Sequence, residues 1–273
     1  TFIDSIEDLA FLNEELLQKD YVGVDTEFRR TNKDNMRLAL LQVNDHEEIY
    51  LIDTVLIEKP GESASFLFSD SVIKIFHSCK EDLEAVYSWT KREMSNIFDT
   101  QIANSLLNDD YSISYQSLVE RNLGILLDKK ETRSNWIRRP LSDAQLKYAA
   151  LDVEYLIHLY IEQNEKLKKS KKLNWHNQDI GRLLEVTFNP QSQPKEINRI
   201  LTKAQENDLL NNFNQSIERI AHKTGVNSTL LFSKKAQRDF LRLALDQGIE
   251  LACTEITRWR EDLIKSDLQE LLK

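Results

Sequence analysis

The run Tyr21-Val22-Gly23-Val24-Asp25-Thr26-Glu27 constrains this chain more than any other. Its first four residues read as a short buried strand, and its end carries two carboxylates. Two residues apart on an extended chain, Asp25 and Glu27 project to the same face. An acidic pair at the mouth of a buried strand is costly unless a cation or hydrogen bonds balance it. A strand simply running out into solvent gives the same pattern, so the pair alone decides little.

What surrounds the pair narrows the fold. Ser5 precedes apolar positions at helical spacing, Ile6, Leu9, Leu12 and Leu16, as at a capped helix start. Strands are expected at Tyr21 to Asp25, Arg37 to Asn44, Glu48 to Asp53 and Val72 to Phe76, with Ile97-Phe98 in a fifth. The second and third are joined by the polar turn Asn44-Asp45-His46-Glu47. Helices are expected at Glu81 to Trp89, Thr100 to Leu107 and Tyr115 to Asn122, the last closed by Gly124. Ser142-Asp143-Ala144-Gln145 has the form of a capping box, opening one long helix through Tyr148 and Asp152 toward Lys166. A hairpin followed by strand–helix alternation predicts an α/β domain, a mixed central sheet flanked by helices.

A length of 273 residues suits one such domain and a smaller appended one. The polar stretch Asn189 to Pro194 holds two of the four prolines and reads as a linker, after which the pattern is helical. The expected division is 1–175 for the α/β domain, 176–194 for a connecting segment, and 195–273 for a small all-α domain. No apolar run approaches the roughly 20 residues needed to cross a bilayer, and no charged-then-apolar leader is seen, although the chain starts at Thr1 rather than Met. Two cysteines far apart, Cys79 and Cys253, fit a reduced, cytoplasmic setting. The net charge of −9 argues against a protein that coats long duplex DNA. It leaves room for an enzyme that grips a strand end and lets metal ions meet the phosphates.

Two further carboxylates fall in notable places. Asp82 follows the strand ending at Phe76, through His77-Ser78-Cys79-Lys80-Glu81, and either it or Glu81 could serve only to cap the next helix. Asp152 lies in the apolar helical stretch Tyr148-Ala149-Ala150-Leu151-Asp152, where residues four apart share a face. An aspartate in close-packed surroundings needs a partner, and a metal is one candidate.

Together these residues resemble the ribonuclease D branch of the DEDD exonucleases, in the subclass with tyrosine in the third motif. Val24-Asp25-Thr26-Glu27-Phe28 resembles the first motif, and Phe76-His77 through Glu81-Asp82-Leu83 the second. Tyr148-Ala149-Ala150-Leu151-Asp152-Val153 resembles the third. Leu40-Leu41-Gln42, Phe98 to Ala103, Ser134-Asn135-Trp136 and Arg139-Pro140-Leu141-Ser142 extend the likeness, which runs from about Tyr21 to Tyr160. It implies a ribonuclease H-like fold and 3′→5′ exonuclease activity releasing nucleoside 5′-monophosphates from a single-stranded RNA 3′ end, with transfer RNA precursors as substrates. It also implies two divalent cations, Mg2+ or Mn2+, whose hardness suits carboxylate oxygens. Such a pair can activate water, neutralise charge at phosphorus and assist the leaving oxygen. In the family scheme Asp25 bridges both ions, Glu27 and Asp152 complete the site of the attacking water, and Asp82 acts mainly through the second ion. Glu27 also touches the terminal 3′-hydroxyl, and Tyr148 orients the water. A phenol with an ordinary pKa near 10 is a poor free base at neutral pH.

Other positions carry two readings each. Phe28 wedges against the terminal base or packs. His77 stabilises the site or is a satisfied interior histidine. Gln42 is expected to be buried and hydrogen-bonded, and Asp99 to support the site or cap a helix. Trp136 anchors a loop over the site or packs. Arg133, Arg138 and Arg139 meet phosphate or are solvated charge. The basic run Lys166, Lys168, Lys169, Lys171 and Lys172 is a solvated helix end or a backbone path. Ile217 to Leu272 resembles the helical HRDC-type domain that follows the nuclease in this family, although there is room for only one copy where well-known members carry two. Three functions stay open: an RNA-maturing exonuclease, a DNA exonuclease of the same fold in repair, and a binding protein on a dead nuclease fold. The intact set Asp25, Glu27, Asp82, Tyr148 and Asp152 argues against the last.

Overall fold

The structure is a computed structural model that describes residues 1–32, 35–107, 110–127, 134–189 and 200–271. It divides into two compact units: Thr1–Gln101 with Ile113–Glu165, and Ile102–Ser112 with Lys166–Lys273. Among the described residues no helix is long and apolar enough to cross a membrane.

The first unit is built on a mixed sheet, as expected. In chain order its strands are β1 (Phe2–Ile3), β2 (Tyr21–Asn32), β3 (Asn35–Asn44), β4 (Ile49–Ile52), β5 (Ile73–Phe76) and β6 (Ile97–Asp99). Their spatial order is β1-β4-β3-β2-β5-β6. β2, β3 and β4 pair antiparallel, whereas β5 runs parallel to β2 and to β6. β1, too short to show a pattern in the sequence, joins parallel to β4. The apolar side chains that define the strands are fully enclosed, among them Val22, Val24, Leu41, Val43 and Ile75.

Helices cover the sheet. α1 (Ile6–Leu16) opens on Ser5, whose hydroxyl accepts from the Asp8 amide. α2 (Lys80–Thr90) follows β5 and packs against β2 and β3. α3 (Thr100–Leu107) begins where β6 ends, and α4 (Tyr115–Leu123) closes on Gly124 with φ +72°. α5 (Asp143–Glu154) carries the expected capping box between Ser142 and Gln145 and packs against β2, β3 and β4.

The single long helix expected from Ser142 toward Lys166 is two, α5 and α6 (Leu156–Lys169). The break has an identifiable cause. The Tyr115 hydroxyl accepts from the Tyr155 amide at 3.0 Å and donates to the Leu151 carbonyl at 3.3 Å. Those two backbone groups would bond each other in a continuous helix, so the phenol is inserted into the ladder. Asn44 Nδ2 then takes the freed carbonyls of Val153 and Glu154 at 3.0 and 3.1 Å.

Among its described residues the second unit's regular elements are all helices, among them α7 (Leu173–Phe188), α8 (Lys203–Thr224), α9 (Ser228–Phe232), α10 (Lys234–Gln247), α11 (Ile249–Cys253) and α12 (Arg258–Leu271). The segment 176–194, expected as a connection, is helical to Phe188. Its apolar spacing builds a face that α12 covers: Trp175 stacks on Trp259 with centroids 4.8 Å apart, and Asp179 accepts from Trp259 Nε1 at 2.8 Å and pairs with Arg260. Of the expected linker, 190–194 lie outside the described residues. Lys172, placed in the basic run, is an interior residue whose ammonium donates to the Leu106 and Gly225 carbonyls.

Candidate active site

The acidic residues meet where β2 outruns its parallel neighbour. β5 pairs with β2 only from Tyr21 to Gly23, so Asp25 and Glu27 lie past the end of that ladder. Gly23, Asp25 and Glu27 share the face that α5 covers. At Gly23 the approach is close: an added Cβ would stand 3.1 Å from Leu156 Cβ and 3.3 Å from the Val153 carbonyl. A glycine inside a strand marks such a backbone approach, and here it lets α5 deliver Asp152. Carboxylate oxygens of Asp25, Glu27 and Asp152 all lie within 4.8 Å of one another.

Asp82 arrives from the opposite face. Thr26, whose side chain alternates away from its neighbours', donates its hydroxyl to Asp82 Oδ1. Asp82 is buried in the first turn of α2. Asp99 shapes the approach to it, accepting from the amides of Ser78 at 3.2 Å, Cys79 at 2.8 Å and Gln101 at 2.8 Å. It thus holds both the turn into α2, where Ser78 has φ +67°, and the start of α3.

Among the described residues none of these four carboxylates is paired with a lysine or arginine. Burial, and then repulsion from Asp82, Asp152 and Glu27, hold Asp25 well above the usual carboxylate range. Burial followed by Asp152 and Asp82 pushes Glu27 up to about 9. Asp82 and Asp152 are raised to about 7, chiefly by burial, with hydrogen bonds from Thr26 and Tyr148 pulling the other way. A cluster of like charge, half-buried at Asp25, Glu27 and Asp152 and buried at Asp82, with no cationic side chain paired to it among the described residues, fits a divalent cation.

Tyr148 stands one turn before Asp152 on the same helical face, near enough for its phenol to favour the ionised Asp152 carboxylate. Burial, and then the Asp152 charge, raise the phenol above its ordinary value, so it stays protonated. Trp136 is buried against it with ring centroids 6.1 Å apart, in a cluster with Ala39, Leu40, Leu51 and Ala149.

The other expected contacts divide. Phe28 is half-buried just past Glu27, where the β2–β3 register shifts. His77 is a satisfied interior histidine, with Nδ1 2.9 Å from Thr100 Oγ1 and Nε2 2.9 Å from the Ile113 carbonyl. A carbonyl only accepts, so Nε2 carries the proton, and burial lowers the imidazole below its ordinary value. Arg139 has no donor left for a phosphate. Its guanidinium bonds both oxygens of Asp53 and the carbonyls of Trp136, Arg138 and Ala39, which uses all five N–H groups. Arg133 lies outside the described residues. Gln42, expected to be hydrogen-bonded, is buried without a partner among the described residues. Thr26, Asn44 and Tyr115 were missed, since their roles lie in partners remote in sequence. Gly23 interrupting an apolar strand was a signal that could have been read.

A sheet of this order with carboxylates gathered past its parallel strand ends is the frame of a nuclease-type α/β fold. Residues 1–168 match the family model described as 3′-5′ exonuclease, and the chain belongs to that family. It is 40% identical over 168 residues to ribonuclease D of Shewanella sp. (strain ANA-3), a match covering 62% of this chain and 43% of that protein. The chain spans about half the length of the curated relatives it matches. Its fold is similar to that of Escherichia coli RNase D, an exoribonuclease involved in structured RNA processing, with a TM-score of 0.66 at 22% identity over 99% of this chain and 73% of that one. It is likewise similar to Brucella melitensis NrnC with bound Mg2+, with a TM-score of 0.58 at 24% identity over 69% of this chain and 93% of that one.

Proposed function

We propose that this chain is a metal-dependent 3′→5′ exoribonuclease that removes nucleoside 5′-monophosphates from a single-stranded 3′ end. The observation that carries the reading is the convergence of Asp25, Glu27 and Asp152 around one point, with Tyr148 one helical turn from Asp152 beside them.

Asp25, Glu27, Asp82 and Asp152 would hold two divalent cations, Mg2+ or Mn2+, and the Mg2+ of the Brucella protein supports that choice. When bound, such ions lower the pKa of water, neutralise charge at phosphorus and stabilise the leaving oxygen. The side chains contribute the rest. The Tyr148 phenol, packed against Trp136 and protonated throughout, orients the attacking water rather than acting as a free base. Glu27 is placed to meet the terminal 3′-hydroxyl. Phe28, half-buried beside Glu27, is the contact for the terminal base. Trp136 acts behind Tyr148 by packing.

The helical residues beyond the nuclease are the RNA-binding part in this reading, an HRDC-like domain. Precursors of transfer RNA or of other structured RNAs are the substrates, in keeping with the role stated for the Escherichia coli protein. Digestion of matched 5′-labelled single-stranded RNA and DNA, with Mg2+, Mn2+ or a chelator, tests this. A metal-dependent ladder on RNA is expected. A ladder on DNA alone moves the role to repair, and no digestion of either overturns the reading.

A further inference from the structure

Gln42 lies in β3 directly opposite Asp25. Residues directly opposed in an antiparallel pair project to one face with Cβ atoms about 5 Å apart. Its neighbours on that face fix its surroundings. Asn44, opposite Gly23, reaches the carbonyls at the end of α5. Leu40, opposite Glu27, packs with Trp136 and Ala149. The Gln42 carboxamide is therefore enclosed between Asp25 on one side, Leu51 of β4 on the other, and α5 above. It is fully buried, yet neither Nε2 nor Oε1 has a hydrogen-bond partner among the described residues. Asn44, two residues on, satisfies its amide on backbone; Gln42, with one more methylene of reach, does not.

A buried polar group is normally paired, and an orphan calls for an explanation. The acceptor beside Gln42 along the ladder is the Asp25 carboxylate. We infer that Gln42 is a positioning residue for Asp25. With the carboxylates ionised around a bound cation, Nε2 donates to Asp25 directly or through one ordered water, and Oε1 accepts from water. This rests on the metal-site reading above. An amide suits the place better than lysine or arginine would. It orients the carboxylate without neutralising it, so the negative charge that attracts a cation is kept.

Gln42→Met keeps the length and about the volume while removing donor and acceptor, and Gln42→Leu removes both with a shorter, stiffer side chain. Mn2+ uptake, followed by the electron paramagnetic resonance of the free ion without nucleic acid, is measured beside the metal-free melting temperature. Both variants are expected to melt at or above the wild-type temperature, because an orphan polar group is gone. Their Mn2+ dissociation constants are expected to rise about 10–100-fold, the usual effect of removing a group that hydrogen-bonds a metal ligand. Wild-type Mn2+ affinity in both variants overturns the inference. A fall in metal-free melting temperature alongside the affinity loss in both also overturns it, by assigning Gln42 to packing. If the wild-type chain itself takes up no Mn2+, the metal-site reading fails and carries this one down.

Discussion

Tyr148 and Asp152, one helical turn apart on α5, share a face of that helix, and the carboxylate and the phenol act on each other's ionisation. The proposed water-orienting group and a candidate metal ligand are thus carried by a single element. Tyr148→Phe removes only the hydroxyl and keeps the packing against Trp136. Turnover is expected to fall by about 10²-fold, at the lower end of what a positioned proton-handling group contributes, with the melting temperature unchanged. Single-turnover kinetics beside a thermal melt checks this, and normal turnover removes the role.

The metal-free protein should lose stability as pH rises. Glu27 is raised to about 9, and Asp82 and Asp152 to about 7. Between about pH 4 and those values the folded chain holds protons that the unfolded chain has released, so unfolding becomes easier with each rise in pH. Melts in chelator should therefore give a lower temperature at about pH 8 than at about pH 5, and saturating Mg2+ should restore much of the difference. Asp152→Asn should flatten the slope. A melting temperature that climbs over this range in chelator, for wild type and variant alike, contradicts the carboxylate account.

Arg139 tests a structural role against a phosphate-binding one. Its partner Asp53 is fully buried, and removing one member of a buried pair costs about 3–5 kcal/mol. Arg139→Met should lower the denaturant midpoint accordingly. Residual folded protein should bind RNA with unchanged salt dependence. A stable variant with weakened RNA binding would reverse the assignment.

Gly23→Ala places a methyl against Leu156 and the Val153 carbonyl. Overpacking of this kind costs about 1–3 kcal/mol, and the part that yields should be the α5–α6 junction. Asp152 then shifts away from Asp25, so Mn2+ affinity should fall more than stability. Equal Mn2+ binding by the variant would mean that the junction does not set the carboxylate spacing.

Positions governed by local spacing were legible in the sequence. The alternation around Asp25 and Glu27, the i to i+4 relation of Tyr148 and Asp152, and the Ser142–Gln145 cap depend on neighbours along the chain, and the structure places all of them as expected. What was misread depends on partners far away. The break after Glu154 is made by Tyr115 and Asn44, separated from it by 40 or more residues. Arg139 is spent on Asp53 across 86 residues. The helix Leu173–Phe188 was hidden by the polar, proline-bearing stretch after it.

The most direct measurement follows the fate of the last nucleotide of a 3′-terminally labelled single-stranded RNA, with wild-type chain and Asp25→Ala, in the presence of Mg2+ or Mn2+. The label should leave first and as a nucleoside 5′-monophosphate, and the variant should release almost none. Label that stays on the strand, departs in an oligonucleotide, or is freed equally by the variant would contradict a 3′→5′ exonuclease centred on Asp25.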